Sequence, residues 1–337
     1  MGEFPESRLG VGGRFSARGK TSLSPLAFAA NTARVKARFV LALAFLFAFA
    51  ALIRARNLAD DEALSKVLVE GEAWREVASG FTMTDGACSD AAGNFYFADL
   101  PKAVIHKIGV NGKLSTFMEN GPKVSGLKFG PDGRLYACTQ APKKQVIAIA
   151  LPSKEIKVLA DNVQPNDLIV SPRGFVYFTE TGRGQVTAID VKAAKVFTAA
   201  TNLNAPNGIA LSPDGGTLAV SEYKGSHVWT FRVKANGTLD AGTRSMTLRT
   251  LTDRPESAGD GMTVDAQGRW YVTSAIGIQM FDATGHTDGV IPRPQNKGTV
   301  SCAFAGPKLE YLYVCSSDKI SRRKMQTPGA WLFSGAR

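Results

Sequence analysis

The chain of 337 residues has only 4 cysteines and 3 histidines. Four cysteines in a chain this long do not make a disulfide framework. No Gly-x-Ser-x-Gly elbow is accompanied by a matching histidine, so Ser/His/Asp hydrolysis has no support. Phosphate loops and dinucleotide fingerprints are missing too. Charged residues make up 20% and hydrophobic residues 44%, and the 34 glycines and 16 prolines follow no collagen period. Coiled-coil, collagen-like and disordered compositions are thereby excluded, leaving a folded globular protein.

Acidic residues are in the minority, 29 against 40 Lys and Arg, for a net charge of +11. The excess is local. Residues 1–60 hold nine Lys/Arg and three acids, and the remainder carries 31 basic against 26 acidic residues, a net +5. A basic leader is therefore what raises the isoelectric point, and no nucleic-acid partner is expected.

Long apolar runs are limited to one. Phe39–Ile53 reads FVLALAFLFAFAALI, fifteen uncharged residues behind Arg34, Lys36 and Arg38. A membrane-spanning helix needs about 20 apolar residues. The run fits a signal-peptide core, with Ala48-Phe49-Ala50 as a small-x-small cleavage site, or an uncleaved anchor with Arg54 and Arg56 behind it. The expected organisation is a disordered basic leader at 1–38, the signal core or anchor at 39–53 and a linker at 54–69. A folded domain follows at 70–331, with a tail at 332–337. Asp60–Leu68 reads as a short amphipathic helix serving as a spacer.

The folded part repeats. Six segments align: Thr84–Asp99, Val124–Gln140, Pro165–Glu180, Pro206–Glu222, Gly259–Ser274 and Val300–Ser316. The first polar residue of each defines a slot: Asp85, Ser125, Asn166, Asn207, Asp260 and Ser301. The slots are separated by 40, 41, 41, 53 and 41 residues, a period typical of propellers and solenoids. Each slot is followed by an alternating apolar run, a turn such as Pro131-Asp132-Gly133, and a second alternating run. Period-two runs around Asp-Gly are a hairpin signal. Two more strand-like runs complete most repeats. The expected fold is all-β: a six-bladed β-propeller with four-stranded blades. A solenoid would need polar capping repeats, and none is present. Ala73–Val77 is strand-like and would complete the sixth blade beside Lys319–Met325.

In a propeller the first strand of each blade lines the central channel, so the slots converge. All six carry oxygen-bearing side chains, which together suit a hard cation. The same dipeptides, Asp-Gly and Asn-Gly, also make turns. Each repeat, however, already has its hairpin turn seven to nine residues later.

Three motifs resemble the SMP-30/gluconolactonase family of six-bladed propeller lactonases. They are Pro165-Asn166-Asp167-Leu168, the run from Pro206-Asn207-Gly208 to Pro213-Asp214-Gly215, and Asp260-Gly261-Met262-Thr263-Val264-Asp265. The resemblance implies one divalent cation at the channel mouth. Calcium is the first candidate, with zinc, magnesium and manganese as alternatives. Its implied ligands are Asp85, Asn207 and Asp260, and Asn166 is implied to touch cation or substrate. Ser125 and Ser301 are expected as further contacts, and Asp167 as a partner that orients Asn166. The family places Glu, in Glu-Gly-Pro, where this chain has Asp85-Gly86-Ala87. The shorter side chain sets the carboxylate back by about 1.5 Å, one carbon–carbon bond. The implied reaction is hydrolysis of a lactone, of the sugar (aldono) class. The cation polarises the carbonyl, and Asp260, with Asp85 second, accepts a proton from water. A histidine dyad of the paraoxonase type has no residues near the slots. The competing reading is a non-catalytic propeller with a structural calcium, binding a ligand or protein.

Other residues carry less. His106 and His227 lie in later strands, where packed or surface histidines are ordinary. Cys88, Cys138, Cys302 and Cys315 read as buried thiols, with a Cys88–Cys302 pair as the alternative. Glu180 and Glu222 end second strands and read as rim residues. The expected protein is an exported monomer touching membrane only through its N-terminal segment. Fractionation of the native host should place it outside the cytoplasm. A soluble cytoplasmic species with an intact leader would be the contrary result.

Overall fold

The structure, a computed structural model, describes residues 62–333. The basic leader, the apolar stretch 39–53 and the first part of the linker lie outside the described residues. Among the described residues no helix is long and apolar enough to cross a membrane. The chain opens with a short helix, α1 (Glu62–Ser65), and a strand, β1 (Arg75–Ser79). Blade 1 comprises β2 (Thr84–Ser89), β3 (Phe95–Asp99), β4 (Val104–Ile108) and β5 (Leu114–Met118). Blade 2 comprises β6 (Val124–Phe129), β7 (Leu135–Thr139), β8 (Val146–Ile149) and β9 (Ile156–Ala160). Blade 3 comprises β10 (Leu168–Val170), β11 (Phe175–Glu180), β12 (Gln185–Asp190) and β13 (Lys195–Ala200). Blade 4 comprises β14 (Pro206–Leu211), β15 (Thr217–Glu222), β16 (His227–Arg232) and β17 (Thr243–Thr247). Blade 5 comprises β18 (Met262–Val264), β19 (Trp270–Ser274), β20 (Gly277–Phe281) and β21 (Thr287–Ile291). Blade 6 holds β22 (Ser301–Ala305), β23 (Tyr311–Ser316) and β24 (Lys319–Lys324), with β1 as its fourth strand.

The expected six-bladed propeller is therefore present, and every sheet is antiparallel and four-stranded. The first strands of neighbouring blades touch all the way round, from β2 through β6, β10, β14, β18 and β22 back to β2. The irregular 53-residue interval reflects a longer β16–β17 connection and a long approach to β18, at 248–261. Second strands are buried on both faces: every residue of β3, β7, β11 and β19 is buried. Outer strands such as β5 and β9 are largely exposed.

Each apolar core lies between two blades. Leu127, Leu135 and Ile147 of blade 2 meet Tyr96 and Ile105 of blade 1. At the closing interface, Phe95 and Phe97 of blade 1 pack on Ala303, Tyr313 and Ile320 of blade 6. Phe95 stacks on Tyr313 with ring centroids 4.5 Å apart. A blade alone has two open apolar faces, so stability belongs to the ring.

Both ends of the described residues are tied into that ring. Strand β1 pairs with β24 through Arg75–Arg322 and Ser79–Lys319, as the strand-like run at 73–77 predicts with a shift of two residues. The segment expected as a spacer docks instead: Leu64, Val67 and Leu68 are buried against blades 5 and 6, and Leu68 bridges Met325. At the other end, Gly329 bridges Asp265 and the Ala330 N–H donates to the Val264 carbonyl, which docks residues 329–330 on blade 5.

A chain starting at residue 80 lacks β1 and leaves the β24 edge unpaired. Compared with one starting at 62, it should melt lower by about 10 °C or more in a thermal scan. Equal melting temperatures would mean that β1 does not close the ring.

Candidate functional site

The slot residues lie where the inner strands leave their ladders. Register slips between Asp85 and Cys88 in β2, between Val124 and Gly126 in β6, and between Pro206 and Ile209 in β14. Strands β10 and β18 begin two residues after Asn166 and Asp260. Such irregularities beside a site redirect side chains that a regular ladder would hold in the sheet.

A glycine follows the slot in four repeats; at 126, 208 and 261 it permits close approach, whereas Gly86 adopts a left-handed φ of 66°. A Cβ on Gly208 would lie 2.1 Å from the Asp260 carbonyl oxygen, and one on Gly261 would lie 2.8 Å from Ser301 Cα. Asn207-Gly208 and Asp260-Gly261 thus serve close approach here rather than a turn. They let the starts of adjacent blades touch at the axis.

Hydroxyl groups tie these starts together. Thr179 Oγ1 donates to the Asn207 carbonyl at 2.6 Å, and Ser221 Oγ to the Asp260 carbonyl at 2.9 Å. Thr273 Oγ1 donates to the Val300 carbonyl at 3.2 Å. Ser125 Oγ donates to the Asn166 carbonyl at 2.6 Å and accepts from Gln140 Nε2 at 2.7 Å. Ser301 Oγ accepts from the Ala87 N–H at 3.0 Å. The two slot hydroxyls are thus engaged in joining blades.

Three carboxylates share the axis. Asp85 and Asp260 keep part of their surface open, and Asp167 is buried. Their carboxyls lie deep in the channel wall. Desolvation, opposed by the Gly86 N–H and reinforced by Asp167, pushes Asp85 up to about 8. Desolvation, then the charges of Asp85 and Asp167, hold Asp260 well above the usual carboxylate range. Asp167 is raised by burial, with Lys128 the foremost opposing influence. Buried carboxylates that face one another demand positive charge or protons.

Asn207 supplies the complementary observation. Its Oδ1 is buried and accepts no hydrogen bond. An amide oxygen sealed from water without a partner is costly and marks a place for a missing donor or cation. Asp85 and Asp260 each use Oδ1 to accept the following glycine N–H, at 2.8 and 2.9 Å. No hydrogen bond among the described residues reaches their Oδ2 atoms. Asp85, Asn207 and Asp260 therefore fit a hard divalent cation by the chemistry of their oxygens. Among the described residues, no three His, Cys, Asp or Glu side chains form a cation-sized cluster. Any cation at the axis depends on the asparagine.

A family profile described as SMP-30/Gluconolactonase/LRE-like region matches residues 83–318. The chain belongs to this family. Gluconolactonase of Zymomonas mobilis subsp. mobilis is 27% identical over 292 residues, covering 75% of this chain and 81% of that protein. Lactonase drp35 of Staphylococcus saprophyticus is 24% identical over 272 residues, covering 74% and 83%. The solved structure of a gluconolactonase from Xanthomonas campestris superposes with a TM-score of 0.69 at 21% identity, covering 79% of this chain and 93% of that one. A calcium-binding protein, regucalcin, from Agrobacterium tumefaciens superposes at 0.65 with 17% identity, covering 77% and 95%.

Within this SMP-30/gluconolactonase fold, some residues take places that their sequence context did not suggest. Glu180 and Glu222 are not at the rim: both are buried and clamp the loops leading into their own blades. Glu180 accepts from the Gln164 N–H at 2.7 Å and Glu222 from the Asn204 N–H at 2.8 Å. Asp167 accepts from the Leu168 N–H at 2.8 Å, and none of its described hydrogen bonds goes to the Asn166 side chain. All four cysteines are free and buried, so the Cys88–Cys302 pair is not formed. Burial pushes the Cys88 and Cys302 thiols up to about 12, which makes them unreactive. His106 stacks on Phe97 with centroids 5.1 Å apart, away from the slots, as an ordinary packed histidine.

Lys128 was not singled out in the sequence, where it occupies one alternate position of a strand. Its Nζ reaches across from blade 2 to donate to the Ala87 carbonyl at 2.9 Å. Next to it the channel widens into a cavity of about 90 Å³, lined by Cys88, Ile169, Met262, Phe304, Trp331 and Phe333 among others.

Gly208→Ala should destabilise the fold by about 1–3 kcal/mol, because the added carbon drives blades 4 and 5 apart. Urea denaturation measures this, and an unchanged midpoint would show slack at the axis.

Proposed function

We propose that this protein hydrolyses a lactone, of the sugar-acid class, with a divalent cation held by Asp85, Asn207 and Asp260. The orphaned Asn207 Oδ1 beside two carboxylates carries this reading. The similarity to the gluconolactonases of Z. mobilis and X. campestris supports the substrate class. The named calcium binding of regucalcin makes calcium the first candidate.

When bound, the cation supplies Lewis-acid polarisation of the lactone carbonyl. The chain's own residues do the rest. The amide oxygen of Asn207 and the carboxylate of Asp85 fix the charge at the channel axis. Asp260 is the base: it takes a proton from the attacking water and returns it to the ring oxygen. Water adds to the carbonyl carbon, the ring carbon–oxygen bond breaks, and a hydroxy acid leaves. The Gly261 N–H holds one oxygen of Asp260 and leaves the other available for that proton. Burial favours the protonated carboxyl at Asp260, so it needs positive charge beside it to act as a base near neutral pH. Asn166 is partly open and offers an amide to a substrate hydroxyl. Residues 330–333 line the cavity beside Lys128, and the lactone is taken to approach from the slot side.

Aldonolactone opening, followed with and without a chelator, tests the reading. Chelation should remove activity, and added calcium should restore it. Asp260→Ala should lower kcat/KM at least about a hundredfold, the ordinary cost of losing a general base. Asn207→Ala should lose activity that excess cation partly restores. Asp85→Glu should match or exceed the parent. Full activity in Asp260→Ala would overturn the assignment. Cation binding without turnover of any aldonolactone would favour the non-catalytic propeller.

A further inference from the structure

Strands β6 and β10 begin at the slot edge of the ring, so the antiparallel β7 and β11 end there. The β7–β8 connection of blade 2, the β11–β12 connection of blade 3 and the loop joining the two blades therefore meet on the slot face. Between them lies a cleft of about 590 Å³, lined by Lys143, Lys144, Asp161, Asn162, Gln164 and Arg183 among others. Gln164 stands two residues before the slot residue Asn166, a chain reach of about 7 Å at most. The cleft thus opens beside the axis without sharing Asp85, Asn207 or Asp260.

Its frame is fixed by polar contacts. Buried Thr139 donates from Oγ1 to the Lys143 carbonyl at 2.6 Å and accepts from the Gln145 N–H at 2.9 Å, which sets the loop carrying both lysines. Gln140 Nε2 donates to the Pro165 carbonyl at 2.7 Å, so that loop and the approach to Asn166 form one piece. Arg183 is held as a wall: Nη1 donates to buried Glu180 at 2.8 Å, and Nη2 to the Asn162 carbonyl at 3.1 Å.

Lys143 and Lys144 differ. Both are exposed, and neither joins an ion pair among the described residues. Lys102 and Lys297 on the same face are matched, to Asp99 and Asp318. The lining of the cleft carries three bases against one acid, Asp161. Two unmatched ammonium groups above a fixed floor of amides suit an anion, and flexible point charges accept a carboxylate or a phosphate alike.

We propose that this cleft takes an anionic group, a carboxylate or a phosphate, carried by the lactone whose ring is opened at the axis. The substrate is then an acidic sugar lactone, held at one end by the slot residues and at the other by Lys143 and Lys144. Positive charge at the mouth also steers such a substrate inward. This rests on the lactonase reading given under Proposed function.

The test is the opening of three lactones by the purified protein at low salt with calcium present: neutral gluconolactone, its phosphate ester at the primary hydroxyl, and glucarolactone with its free carboxylate. Lys143→Gln/Lys144→Gln removes two exposed charges and disturbs no packing. The kcat/KM ratio of acidic over neutral lactone should fall about fivefold in it, through KM. Lys143→Arg/Lys144→Arg should hold the ratio within about twofold of the parent. High salt should shrink the ratio in the parent and leave it in the glutamine variant. A fall for the phosphate ester alone assigns the cleft to phosphate, and a fall for glucarolactone alone assigns it to a carboxylate. A ratio that the glutamine variant leaves in place for both acidic lactones overturns the proposal, and with the neutral lactone still opened it overturns this one alone. If no lactone is opened, the hydrolase reading fails, and calorimetry with phosphogluconate and glucarate decides the cleft separately. Binding that the glutamine variant loses upholds the anion site, and no binding to the parent overturns it.

Discussion

Six strand starts have to share one axis, and the rest of the protein is arranged around that crowding. Where β14 meets β18, the gap between backbones is too small for a single Cβ. The glycines at 208 and 261 answer the steric demand. The hydroxyls of Thr179, Ser221 and Thr273 then bond the exposed carbonyls of the next blade. A regular ladder would have used those carbonyls within its own sheet. Because it is broken at the slots, side chains there are free to serve the channel.

The same crowding sets the electrostatics. Strands this close bring Asp85, Asp167 and Asp260 within reach of one another in a poorly hydrated wall. The arrangement is unfavourable as a structure and suitable as a site. Nothing in the packing of the blades requires carboxylates at this position, since Ser125 and Ser301 meet the same geometric demand with neutral hydroxyls. The acids and the buried Asn207 are thus a departure from the rule that buried polar groups find partners. Departures of that kind mark function more often than error.

Much of the fold could be read from the chain because its signals are periodic. The slot spacing gave the number of blades, and the alternating runs around Asp132-Gly133 and Asp214-Gly215 gave the hairpins. Even the closing strand was visible, as one strand-like stretch without a partner in its own repeat. The slots themselves were ambiguous, because Asn-Gly serves a turn and a close approach equally well. Only the position of the neighbouring blade distinguishes them. Lys128 was hidden for a similar reason: it looks like any solvent-facing residue of a half-buried strand. The carbonyl it reaches, that of Ala87, lies about forty residues earlier in the chain. Glu180 and Glu222 resembled rim charges because nothing local announces the backbone N–H groups they accept. Short apolar segments at 64–68 and 330–333 have no period at all, so their docking surfaces could not be foreseen.

The pairing of β1 with β24 also has a consequence in time. Residues 319–324 are made some 240 residues after residues 75–79, so the ring stays open while the blades between them are synthesised. Until it closes, blade 6 is incomplete, and Phe95 and Phe97 of blade 1 lack the surface they stack on. Contacts of such sequence separation form slowly, and open sheet edges invite the wrong neighbours meanwhile. The finished protein gains a ring without a free end. The nascent one must hold its first strand in reserve for a partner that emerges some 240 residues later.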